Sequence, residues 1–193
     1  MSALALKLQE PRDRLGLKGP RAADWLAANG IPPPAKPNMW ERLDATSADD
    51  ALLVARLGTA EFFLEDGPGG TSLKRIAPSL DEHLPGVYPV MREDWAFHLA
   101  GEGVHDVLAQ VCNVNFAALS LGSQTVIMTL MIGVAVLVVA QGASGGGNRG
   151  AEGGDPAERQ YRIWCDPTFG PYLGASLGAV VVESGGRYTG DCG

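Results

Sequence analysis

The chain has 193 residues, 46% hydrophobic and 19% charged, enough apolar material for one sizeable domain or two lobes without disulfides or structural metals. Its formal net charge of −7 excludes a nucleic-acid binder, which needs basic side chains to neutralise phosphates. The three cysteines, Cys112, Cys165 and Cys192, are far apart with no CxxC pair, which excludes a disulfide framework or a zinc site and suits a reducing, cytoplasmic setting.

In chain order, residues 1–13 come first; they lack a basic leader and a cleavage site, so no secretory signal is expected. Leu4, Leu6 and Leu8 alternate with smaller or polar residues, giving a strand-like arm whose apolar edge docks either on another chain or on this one. Residues 15–27 (LGLKGPRAADWLA) read as a short strand, a glycine turn and a helix, with Pro20 near the helix start and Gly30 at its stop. Residues 31–40 (IPPPAKPNMW) form a stiff, extended connector. Trp40, in an irregular segment after the prolines, joins Leu4, Leu6 and Leu8 as a candidate partner contact. Residues 61–66 (EFFLED) precede a helix that begins near Thr71 and that Pro78 kinks or ends.

The second half opens with a strand at 95–100 and a helix at 102–112, where Val104, Val107, Leu108 and Val111 fall at i, i+3, i+4 and i+7. Residues 125–140 contain no charge, but 16 residues fall short of the ~17–25 that a spanning helix needs. Their β-branched content and the central Ile132-Gly133 instead predict two buried strands, 124–131 and 134–140, and no membrane segment. A glycine-rich loop at 142–154 follows, then a strand at 159–165, a helix at 167–177 and a strand at 179–183.

These elements repeat. Residues 15–27 lie over 97–109 at an offset of 82, matching Leu17 with Leu99, Gly19 with Gly101, Asp24 with Asp106, Leu26 with Leu108 and Ala27 with Ala109. Residues 61–66 lie over 161–166 at an offset of 100, the difference being about the length of the glycine-rich insertion. The expected fold is therefore α+β, with two pseudo-repeated, ferredoxin-like split βαβ halves whose helices cover one face of an antiparallel sheet. Each half is expected to run strand, helix, two strands, helix, strand. The halves are expected at 1–91, including the arm at 1–13 and the connector at 31–40, and at 92–193.

Motifs for chemistry fail on their own mechanics. The GxGxxG at 145–150 opens no helix to hold a pyrophosphate. Two GxSxG matches, at Ser144 and Ser176, have no histidine downstream, since His83, His98 and His105 all precede them. Glu93, Asp94 and His98 read as a solvated turn and strand rather than a metal site. Asp49-Asp50 and Glu65-Asp66 are adjacent carboxylates that point different ways and make no acid–base dyad. Cys112 has no basic neighbour in sequence and reads as a buried structural thiol. No catalytic, cofactor-binding or metal residue is assigned.

Residues 99–112 (LAGEGVHDVLAQVC), Phe116, the hairpin at 125–139 and residues 161–173 (YRIWCDPTFGPYL) together resemble the gamma subunit of heterotetrameric sarcosine oxidase. Residues 17–26 (LKGPRAADWL) look like that family's opening, and the likeness runs from about Arg14 to Val182. The family is related in fold to the glycine-cleavage T-protein and its folate-binding relatives. The resemblance implies a non-catalytic subunit of a complex that demethylates sarcosine or a similar secondary amine. Flavin, NAD and tetrahydrofolate are then expected in partner subunits, with no cofactor in this chain. The segment 91–95 and the glycine insert depart from the pattern, and no equivalent of the T-protein's catalytic aspartate stands in a matching motif. A stand-alone folate-binding aminomethyltransferase and an unrelated acidic adaptor are the alternative readings.

Overall fold

A computed structural model describes residues 3–43, 51–80, 84–119, 124–141 and 160–190. Asp49-Asp50, His83, Ser144, Cys192 and the glycine-rich loop at 142–154 lie outside the described residues. The chain begins in one unit, builds a second, and returns to the first: Met1–Pro11 with Glu93–Gly193, and Arg12–Arg92.

Strand β1 (Ala5–Leu8) opens the chain. The second unit then contains β2 (Arg14–Lys18), α1 (Ala22–Ala28), β3 (Met39–Leu43), β4 (Leu52–Gly58), β5 (Glu61–Glu65), α2 (Ser72–Ile76) and β6 (Tyr88–Val90). Its antiparallel sheet has the order β3-β4-β5-β2-β6. Leu17, Val54, Phe62 and Leu64 meet Trp25 and Leu26 of α1 and Leu73 and Ile76 of α2 in one core.

The first unit resumes with β7 (Trp95–Ala100), α3 (Val104–Val111), β8 (Val126–Met131), β9 (Val134–Gln141), β10 (Gln160–Cys165), α4 (Gly170–Glu183) and β11 (Arg187–Thr189). Its sheet runs β11-β1-β7-β10-β9-β8. All its pairs are antiparallel except β1 with β11. Phe97, Leu99, Val138, Tyr161 and Ile163 pack with Leu108 of α3 and with Leu173, Leu177 and Val181 of α4.

Both units thus have the expected α+β repeat of helices on an antiparallel sheet. Each carries a third strand, β5 or β10, between its helices, one more than the six-element order. The repeat offset of 82 survives in detail: Leu17 and Leu99 are buried, as are Leu26 and Leu108. Gly19 and Gly101 take φ of 122° and 107°, and a Cβ on either would strike backbone of residue 86 or residue 3, respectively. The second offset shifts by one. Leu17 pairs with Phe62 while Leu99 pairs with Tyr161, so the strands superpose at 99 and not at 100.

Local chemistry explains the ends of the elements. Gly30 (φ 77°) donates to Ala27 O, and Ile31 donates to Leu26 O at 2.9 Å. This is a Schellman stop, and its Ile31–Leu26 pair lies in the core. Ile132 and Gly133 take φ of 49° and 80°, the two left-handed residues that a two-residue hairpin of type I′ requires. Met131 accordingly faces Val134.

Four expectations change. The arm does not belong to the first half: β1 lies between β7 and β11, because a strand with Leu4 and Leu6 on one face completes that sheet's core. The connector ends at Asn38, and Trp40 lies on β3, opposite Ala55. Arg56 fixes the connector instead, donating to the carbonyls of Pro34 and Ala35 at 3.1 Å each. Residues 179–183 are helix, the last turn of α4, because Leu173, Leu177 and Val181 keep a four-residue spacing against the core. Residues 167–169 form a 3-10 turn that leads into α4.

Candidate functional site: buried charge at the end of β5

Among the described residues the most buried charged groups, Glu65 and Asp66, stand together at the end of β5. Because successive residues of a strand alternate, Phe62 and Leu64 face the helices while Phe63 and Glu65 face away. Glu65, 1% exposed, sits opposite Arg14, whose Nε donates to Oε2 at 2.5 Å; Arg12 lies 3.6 Å from Oε1. Arg92 stacks on the neighbouring Phe63 ring, 4.9 Å from its centroid. A carboxylate this buried is tolerable only because a guanidinium meets it directly.

Asp66 follows at once and does something different. Its backbone N–H donates to Asp13 O, and its Oδ2 accepts the N–H of Leu73 in the first turn of α2 at 3.0 Å. Gly70 must lack a side chain, since a Cβ would lie 2.9 Å from Asp66 Cβ. Oδ1 is buried without a hydrogen-bond partner. Burial, and secondly the Asp13 charge, push the Asp66 carboxyl above its ordinary value, against the lowering effect of the Leu73 N–H. Glu65 and Asp66 therefore serve different partners, an arginine pair and a helix start, and do not form a dyad.

In the other unit the corresponding sheet face carries His98 and Arg162. Arg162 stacks on Trp164, 4.8 Å from its centroid, and His98 Nε2 shares a hydrogen bond with Gln160 Oε1 at 3.1 Å. His98 is thus tied to a glutamine, and Glu93 is exposed. Among the described residues no group of three His, Cys, Asp or Glu is arranged to hold a metal ion. His105 reaches Tyr161 OH at 2.7 Å, with Phe116 edge-on to the tyrosine ring. Nothing in the sequence around His105 signals this partner, which comes from β10.

Among the described residues both cysteines are buried free thiols. Cys112 is buried, accepts from Val114 N at 3.5 Å and lies 3.7 Å from Thr129 Oγ1. Burial, with Asp94 and Asp166 nearby, pushes the Cys165 thiol up to about 12. Ser176 lies within α4, and its flanking glycines have a packing role: a Cβ at Gly174 or Gly178 would fall 2.9 Å from Tyr188 OH or 2.7 Å from its Cδ1. They let the helix approach β11 closely.

The candidate partner contacts need correcting. Leu4 and Leu6 are buried in this chain's own core with Leu8 packed against it, so the arm docks on its own chain. Trp40 is 9% exposed on β3; its buried indole N–H has no hydrogen-bond partner.

No family model matches the chain, and no curated protein matches it. Solved structures do. The glycine cleavage system aminomethyltransferase T from Bartonella henselae is 14% identical with a TM-score of 0.64; the match covers 98% of this chain and 48% of that one. The heterotetrameric sarcosine oxidase from Corynebacterium sp. U-96, in complex with pyrrole 2-carboxylate, has a chain that is 19% identical with a TM-score of 0.64. That match covers 92% of this chain and 83% of the other. The chain thus spans about half of the aminomethyltransferase and most of the sarcosine oxidase chain. At these identities the likeness is one of fold: this chain has the fold of the glycine-cleavage T-protein and of a chain of heterotetrameric sarcosine oxidase.

Proposed function

We propose that this chain is a non-catalytic, structural subunit of a cytoplasmic, flavin- and folate-dependent complex that oxidises sarcosine or a similar secondary N-methyl amine. The observation that carries the reading is the near end-to-end match to a chain of a heterotetrameric sarcosine oxidase, 92% of this chain against 83% of that one. The buried Glu65 supports it, because that charge is committed to Arg14 within the fold. In this reading flavin, NAD and tetrahydrofolate are held by the partner subunits. No helix among the described residues is long and apolar enough to cross a membrane.

The likeness to aminomethyltransferase T favours a second reading, a small tetrahydrofolate-binding protein acting alone; the match takes in 98% of this chain. Purification of the tagged chain from its source separates the two. Stoichiometric recovery of a yellow flavoprotein is expected, with no tetrahydrofolate bound by the isolated chain. A monomer without a flavin-bearing partner that binds tetrahydrofolate tightly would replace the first reading with the second.

A further inference from the structure

Helix α4 is apolar all round, yet only one of its faces is spent on the core. Gly170, Leu173, Gly174, Leu177, Gly178 and Val181 are buried. On the opposite side Tyr172, Ala175, Ala179 and Val182 are exposed, the tyrosine at 54% and the valine at 57%. Phe169, one turn before Tyr172, is 50% exposed. From Pro167 to Val182 the chain carries no charged residue. The outward face of a surface helix is ordinarily polar, as on α3, where Asp106 and Gln110 are exposed. The exposed four of α4 instead fall at i, i+3, i+7 and i+10, the seam of a helix that packs along another helix.

We propose that this stripe is the contact of a homodimer, in which α4 packs antiparallel against α4 of a second copy. Three features select that occupant. By size the stripe is an inverted repeat, Tyr-Ala-Ala-Val. A twofold axis level with Leu177 therefore sets Tyr172 against Val182 of the second copy and Ala175 against its Ala179, and the alanines let the helices approach closely. The second feature is charge. Two chains of net charge −7 repel each other except where neither bears a charge, and α4 offers such a surface to its own copy. Thirdly, Glu183 is exposed in the last turn with no cation beside it in that turn, the unfavourable end of its own helix dipole. In the antiparallel pair it lies by the N-terminal end of the other α4, where an acid is stabilising. The inference goes beyond the assembly reading above and does not depend on it.

The test is sedimentation equilibrium of the full chain. Wild type is expected to pass from monomer to dimer as its concentration rises. In Ala175→Glu/Ala179→Glu the dissociation constant should rise about tenfold or more, because four carboxylates then crowd one seam. Ala175→Lys/Ala179→Lys should dissociate in the same way, and an equimolar mixture of the two double variants should dimerise again. Both positions are exposed, so the fold should be kept, and circular dichroism checks it. Should a charged variant misfold, Tyr172→Ser/Val182→Ser takes its place, with the same loss expected. A wild-type monomer up to about 1 mM, a dimer unchanged in the glutamate variant, or charged variants that stay monomeric when mixed overturns the proposal. Wild type that is monomeric alone but loses a flavoprotein partner in the glutamate variant gives the stripe to a different subunit, which overturns it too.

Discussion

The two units use one plan with different contents. Each sheet runs from the first hairpin strand through the next two to the opening strand: β3-β4-β5-β2 in one and β8-β9-β10-β7 in the other. Beyond the opening strand they diverge. In the unit of Arg12–Arg92 that lane is filled by its own last strand, β6, whereas in the other unit the N-terminal arm fills it and displaces β11 outward by one place. The sheet faces diverge too. Where Arg14 faces Glu65, the repeat has Ala96 facing Trp164; where Gly16 faces Phe63, it has His98 facing Arg162. The backbone plan is therefore indifferent to the side chains on the second face, where one copy buries an Arg14–Glu65 ion pair and the other stacks Arg162 on Trp164.

The largest effect should come from breaking the internal neutralisation. Arg14→Met removes the shorter of the ion pairs that Glu65 makes with Arg14 and Arg12, and should cost about 4 kcal/mol by chemical denaturation. Arg14→Met/Glu65→Met should recover most of it. A single variant within about 1 kcal/mol of wild type would show that the pair is not the buried neutralisation described here.

Next comes the borrowed lane. Leu6 is fully buried at the centre of β11-β1-β7, so Leu6→Ala should cost about 3 kcal/mol. Amide exchange should then accelerate in β11 and β7 and remain slow in β2 and β5. Uniform acceleration in both sheets would mean that the arm is not specific to one unit.

The smallest effect concerns how the second helix starts, by a buried Asp66 in one unit and by exposed Asp166, which accepts from Thr168 N at 2.8 Å, in the other. Burial raises the Asp66 value in the folded chain above 3.8, so the proton is held more tightly there than in the unfolded chain. Its contribution is full below pH 3.8 and is lost as pH rises through the folded value. The stability of Asp66→Asn relative to wild type should therefore improve from pH 3 to pH 7. Parallel pH profiles for wild type and Asp66→Asn would refute the assignment.

Much of the fold was legible in the residues because local rules fix it. Gly30 ended α1, Ile132-Gly133 turned the β8–β9 hairpin, and the one-sided valines and leucine of α3 faced the core, each for a reason contained within a few residues. The duplicated strand, glycine turn and helix at an offset of 82 implied two like units. The β-branched run at 180–182 misled because strand propensity there is weaker than a four-residue spacing of buried side chains. The glycines around Ser176 matched a hydrolase motif by spacing alone, and only Tyr188, arriving from β11, shows why they are glycines.

Partners distant in sequence were decided by the tertiary structure. Arg14 finds Glu65 51 positions away, His105 finds Tyr161 56 away, and β1 pairs with β7 and β11 from the far end of the chain. Periodicity specifies which face of an element is apolar but not which element lies opposite, because burying that face gains nearly the same free energy against any complementary surface. Strand register and side-chain fit then select among those surfaces, and these belong to the assembled sheet rather than to any segment of the sequence.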